Sequence, residues 1–256
     1  MNIVGSYELL ARIAESNSAQ RWRGRDTMLG RDVQLRQIGT GSTATIDAPR
    51  SGLRVLAGLS HPNIVGLLDK VEADGQLWLI DETADGITLE VVLGTGSWPT
   101  PPQALGIVRG VLKGLAYVHN SRAMHGDITP ATVLLDAHGT ARLTDFGLPA
   151  STGAAGADAK VSGADLQSPE AASGLGVSVR SDVYSVGALL ALLLGDEVDV
   201  HLRPVLDKAM AKDPTERYLD AEELLEAIED AAEAAYGEEW LAQASVVELV
   251  TSVVSD

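Results

Sequence analysis

The hydrophobic period of this chain shifts to helical spacing after Asp85-Gly86, and that change limits what it can fold into. Before it come strand-like pieces, "YELLARI", "QRWRG", "RDVQLRQI", "IVGLLDKV" and "QLWLIDE". Turn stretches such as "MLGRD" and "EADGQ" separate them, where Asp and Gly accept a tight backbone. One helix interrupts the strands, "DAPRSGLRVLAGL", with Asp47 as N-cap and Pro49 in the first turn. After the change, "PPQALGIVRGVLKGLAYVHN" repeats apolar residues three and four apart and begins on proline. "RSDVYSVGALLALLLG" is apolar nearly all round, which predicts a central buried helix. "VHLRPVLDKAMAKD" and "DAEELLEAIEDAAEAAY" predict amphipathic helices. The pattern is α+β: a strand-rich lobe over 1–84, a helical lobe over 85–232 and a helical extension over 233–256, without linker or repeat. In the extension Leu241, Val246, Leu249, Val250 and Val253 share one helical stripe, which either packs on the large lobe or docks a partner or a second copy.

The 256 residues suffice for one large domain or two intimate lobes. A net charge of −17 makes nucleic acid and anionic membrane poor partners, because phosphate binding needs a basic surface. With no cysteine there is no disulfide, thiolate nucleophile or cysteine-based metal site. The start, "MNIVGSYELLARIAES", has no secretory pattern, and no stretch reaches the ~18 apolar residues needed to span a bilayer. A cytoplasmic location is the expectation.

The motifs fall in a telling order. "YELLARIA" and "GRDTMLGRDVQLRQI" are followed by "LSHPNIVGLLD" and "LWLIDE". Then come "HGDITPATVLL", "LTDFG", "SPE", "SDVYSVG" and "KDPTERY". Collinear over residues 7 to about 230, these resemble the eukaryotic-like Ser/Thr protein kinases of bacteria. The Ala/Gly/Val-rich, Lys-poor composition is similar to actinobacterial proteins. The resemblance implies a protein kinase-like bilobal fold, with a small β-rich N-lobe and a larger α-helical C-lobe. The region after the central helix is short: Gly195 leads through "DEVDV" almost directly to "HLRPVLDKAM".

The resemblance also assigns roles, and many positions depart from them. Ala14, Ser16 and Ala19 stand where glycines let backbone N–H groups reach the phosphates. Arg21 replaces a small residue over the adenine, and "VQLR" gives Gln34 and Arg36 for the alanine and lysine of the third strand. The lysine's partner glutamate falls on Gly52, with no acidic residue between Asp47 and Asp69. Asp81 takes the position before the hinge, and Leu134 lies beneath the adenine. Arg21, Arg36 and Asp81 are expected to converge and fill part of the nucleotide volume with ion pairs. Asp127 matches the proton acceptor, but Gly126, Thr129 and Thr132 replace an arginine, a lysine and a metal-binding asparagine. Asp145 matches the magnesium ligand and is the one weak metal candidate. His125, Phe146 and Leu56 match a structural stack, Glu170 and Arg217 a buried ion pair, and Asp182 a catalytic-loop brace.

Three lost charge-stabilising contacts at ~3 kcal/mol each sum to ~9 kcal/mol, about a million-fold. A kinase turning over ~10 times per second would fall to about one turnover per day. On that count Asp127, Asp145 and Arg36 are remnants, no catalytic residue or cofactor is expected, and ATP and magnesium bind weakly at most. The implied function is a pseudokinase that scaffolds or regulates an active Ser/Thr kinase. A phosphorylated Ser151, Thr152 or Ser162 would be read by a forkhead-associated domain. The alternative is a low-activity or rewired ATP-dependent kinase or transferase using Asp127, Asp145 and Arg36, or a nucleotide sensor.

Overall fold

The structure is a computed structural model that describes residues 3–15, 19–38, 58–146, 166–196 and 198–254. Six strands form one antiparallel sheet in the small lobe: β1 Ile3–Val4, β2 Tyr7–Glu15, β3 Ala19–Asp26, β4 Asp32–Ile38, β5 Leu67–Ala73 and β6 Gln76–Glu82. Their order is β1-β2-β3-β4-β6-β5. Asp74 and Gly75, at φ 52° and 71°, make the tight β5–β6 turn that "EADGQ" predicts.

Period-two alternation gives this sheet two different faces. Val33, Leu35, Trp78 and Ile80 join Val4 and Tyr7 in the small-lobe core. The residues between them, Gln34, Arg36, Leu79 and Asp81, therefore lie on the opposite face. Arg21 stands directly across from Arg36, and Gln34 across from Asp81. Gly24 lets β2 and β4 close in, since a Cβ there would lie 2.6 Å from the Glu8 carbonyl oxygen and 2.3 Å from Leu35. The "IVGLLDKV" strand starts late: Ile64 bridges Leu143 and the Val65 N–H donates to the Leu143 carbonyl at 2.8 Å, tying this stretch to the large lobe. The helix predicted from Asp47 lies almost wholly outside the described residues.

The large lobe opens with β7 Ile87–Thr88 and α1 Leu89–Gly94, neither of which the period alone reveals. Helix α2, Pro101–Asn120, starts as its sequence predicts, with Pro101 first and Gln103 accepting from the Thr100 N–H at 2.9 Å. β8 Val133–Leu135 pairs with β7 on one side and with β9 Ala141–Leu143 on the other, in a second sheet. After α3 Pro169–Ala172 comes the central helix α4, Val179–Leu194, followed by α5 Arg203–Ala209 and α6 Ala221–Tyr236. Leu189, Leu190, Leu105 and Leu112 of α4 and α2 are fully buried. Helix α6 is capped by Asp220 and passes unbroken across residues 232 and 233.

The extension is not one helix. It breaks into α7 Trp240–Gln243 and α8 Val247–Val254, and Leu241 is 47% exposed whereas Trp240, Val246 and Val250 are buried. The break places Ala244 against α2, where a Cβ on Gly106 would come within 2.7 Å of the Ala244 carbonyl oxygen. Gln103 donates from Nε2 to the Ser245 carbonyl at 2.9 Å. The extension thus packs on its own large lobe.

Candidate functional site

The loop carrying Asp127 is braced from the helices below it. The Asp182 carboxylate, 1% exposed on α4, accepts from the His125 and Gly126 N–H groups, each at 2.8 Å. His119 on α2 accepts from the Ala221 N–H through Nδ1 at 3.2 Å, so its Nε2 donates to Asp182 at 3.0 Å. His125 donates from Nε2 to the Thr144 carbonyl at 2.8 Å, and its Nδ1 accepts from the Asp127 N–H at 3.2 Å. Its ring packs on Phe146 with centroids 4.5 Å apart. Leu56, the third member expected in that stack, lies outside the described residues. Gly126 has φ 85°, a left-handed backbone that suits glycine.

Thr132 does half of what an asparagine would do. Its hydroxyl accepts from the Thr129 N–H at 2.9 Å and lies 3.0 Å from the Asp127 carbonyl oxygen, within donating distance. It steadies the loop, its hydroxyl engaged by the loop's own backbone.

The cleft face of the small-lobe sheet carries the charges. Arg36, 1% exposed, grips Asp81, 4% exposed, through Nε at 2.5 Å and Nη2 at 2.9 Å. This is the bidentate fork that only arginine offers. Arg36 Nη1 faces Asp145 Oδ1 at 3.3 Å, and Arg21 donates to Asp145 Oδ2. Asp145 reaches in from the large lobe on a left-handed backbone, φ 69°, a conformation that costs a non-glycine residue ~1–3 kcal/mol. Burial pushes the Asp81 carboxyl up from its ordinary value while Arg36 pulls it back. Burial likewise works against the Arg36 charge, but Asp81 and Asp145 push its pKa above the ordinary value. The bidentate contact with a permanently charged guanidinium favours the Asp81 anion against that burial.

Arg21, Arg36 and Asp81 thus meet, and Arg21 pairs with Asp145 rather than with Asp81. Gln34 stands beside Asp81 in the register, and Leu134 is half-buried on β8, near Gly86. Ala14 is opposite Arg21 on β2 and Ala19 opens β3, whereas Ser16 lies outside the described residues. So do Gly52, Ser151, Thr152 and Ser162.

At the base of the lobe Arg217, with its side chain wholly buried, holds Glu170 at 2.7 and 2.8 Å and donates to the carbonyls of Arg180 and Ala211. The hydrogen bond from Arg217 lowers the Glu170 pKa to about 2. At the hinge, Arg142 on β9 ties Glu82 to the Ile64 carbonyl, a contact with no motif to announce it.

The sequence profile of the protein kinase domain matches residues 33–228. A probable serine/threonine-protein kinase PknB of Lactococcus lactis is 28% identical, over 86% of this chain and 41% of the relative. The serine/threonine-protein kinase PrkC of Bacillus subtilis is 27% identical, over 87% and 40%. The DNA damage-responsive kinase RqkA of Deinococcus radiodurans is 35% identical, over 73% and 29%. The chain therefore spans well under half the length of these relatives. ATP and magnesium serve the family in general.

Magnesium does not fit the side chains here as they stand. Both Asp145 oxygens face arginines, and the Thr132 hydroxyl is turned to the backbone of its own loop.

The expectation of a non-enzyme is overturned by these relatives, which are named Ser/Thr kinases and align through the cleft. The substituted positions are not empty, and the retained Asp145 is still in place. Arg36 keeps its positive charge and is held by Asp81, Thr132 keeps the loop brace, and Asp145 keeps its strained approach. The purely scaffolding role thereby loses its premise. By profile and relatives alike, the chain belongs to the protein kinase domain family, alongside bacterial Ser/Thr kinases.

Proposed function

We propose that this chain is an ATP-dependent phosphoryl transferase of the Ser/Thr kinase type whose nucleotide cleft is rewired around arginine. The observation that carries this reading is Asp145 on its left-handed backbone, 3.3 Å from Arg36, in a fold that also braces the Asp127 loop through three backbone N–H groups and the His125 ring. Strain of this kind persists where a site uses it.

In the reaction, the substrate's hydroxyl oxygen attacks the γ-phosphorus of ATP. The bond from that phosphorus to the β,γ-bridging oxygen breaks and ADP departs. The hydroxyl proton passes to the Asp127 carboxylate. Arg36 presents a fixed positive charge toward the phosphates, and its bidentate hold on Asp81 spares it reorganisation during transfer.

The test is transfer of γ-labelled phosphate from ATP to the chain itself and to a Ser/Thr-rich protein. Slow incorporation that Asp127→Asn abolishes is the expected result. Equal counts in the wild type and Asp127→Asn overturn the reading, and ATP binding without transfer reassigns the chain as a nucleotide sensor.

A further inference from the structure

We infer that Arg21 and Arg36 form a clamp for the polyphosphate of a nucleoside triphosphate that works without a metal ion, with Asp145 as the internal anion the phosphates displace. The inference rests on the proposed ATP-dependent transfer and names how the same cleft holds its nucleotide.

Arg21 and Arg36 are directly opposite on neighbouring antiparallel strands. Two like charges in that relation repel, so a sheet keeps them only with an anion between them. Asp145 is that anion, with one oxygen toward each arginine. A phosphate offers the same bidentate acceptor chemistry with more charge. The arginines are also unequally tethered. Asp81 fixes Arg36 from behind, whereas the Arg21 side chain is 21% exposed and is held by an ion pair to Asp145. Arg36 Nη1 and Asp145 Oδ1 are both buried, and neither makes a hydrogen bond among the described residues despite their 3.3 Å approach. The guanidinium thus keeps an unspent N–H on the side where a phosphate oxygen would lie. A dication on Asp145 would leave both arginines without their anion, while a polyphosphate that displaces Asp145 gives both a new one.

Calorimetric titration of the full chain with ATP, and with inorganic tripolyphosphate, in EDTA and in magnesium, tests the clamp. ATP is expected to bind in EDTA at least as tightly as in magnesium, and tripolyphosphate to compete with it. Asp145→Asn removes the competing anion and should tighten metal-free binding on the order of tenfold, the worth of one charge-assisted hydrogen bond. Arg21→Gln, at a partly exposed position, should weaken it on the order of tenfold by the same measure. Binding that requires magnesium and is lost in Asp145→Asn would overturn the clamp, as would failure of tripolyphosphate to compete or no binding in any arm. Label transfer that needs magnesium and stops in Asp145→Asn leaves the proposed activity standing and removes the clamp. Metal-free binding without transfer does the reverse.

Discussion

Arg36 differs from the lysine of the family pattern less in charge than in what holds it. In the family the lysine answers to a glutamate on a movable helix. Here its partner is Asp81, on the adjacent strand of the same sheet, so strand register alone positions the guanidinium. Asp81→Leu leaves Arg36 buried with the looser Asp145 contact and a 3.5 Å hydrogen bond to the Phe146 carbonyl, and should cost ~3 kcal/mol, near the low end for breaking a buried pair. Adding Arg36→Met should recover most of that loss, because a packed apolar pair replaces an ionic one at little net cost. Urea denaturation of the single and double variants measures both. The convergence of Arg21, Arg36 and Asp81 was legible, since alternate residues of strands share a face. The reach of Asp145 to Arg21 was not, because it depends on how closely the lobes approach, and no local period encodes that.

Among the elements, α2 explains why the C-terminal segment lies where it does. Gly106, Gly110 and Gly114 recur every fourth residue and so share one side of the helix. Along that side the chain closes in: a Cβ would meet Ala244 at Gly106, Asn63 and Ala141 at Gly110, and the Asn63 carbonyl oxygen at Gly114, the last at 2.6 Å. The stripe "GIVRGVLKG" is the signal that predicts these approaches, and apolar periodicity passes over it. Gly106→Ala should push Ala244 off the helix at ~1–3 kcal/mol, the usual cost of overpacking. Hydrogen exchange across 240–254 should then speed up, with the Asp127 loop unchanged. The apolar stripe of the extension was read correctly as helical in character. Its break at 244–246 was not, because the contact that causes it comes from a helix far earlier in the chain.

For the whole molecule, the change from strands to helices and the order of the motif-bearing elements were plain in the sequence, whereas activity was not. A list of substituted positions does not say which neighbours take over. Glu170 and Arg217 show the opposite case, a motif pair that forms as its residues imply. The folded Glu170 carboxyl is held at about 2 against an ordinary 4.5. Its ionised form therefore stabilises the fold fully above 4.5, and the gain is lost as pH falls through about 2. Melting curves of Glu170→Gln should lie below wild type by several degrees at neutral pH, with the gap narrowing over that acid range. At neutral pH, Glu170→Ala also strands Arg217 and should cost ~3–5 kcal/mol. No helix among the described residues is long and apolar enough to cross a membrane.

The facing guanidiniums of β3 and β4 carry one more implication. A sheet bearing Arg21 against Arg36 is electrostatically unfinished until the other half of the chain lends it a carboxylate. Asp145 thus bolts the halves on either side of residue 84 together through Arg21 and Arg36. Severed there and expressed apart, the strand-rich piece should fray first along that very pair.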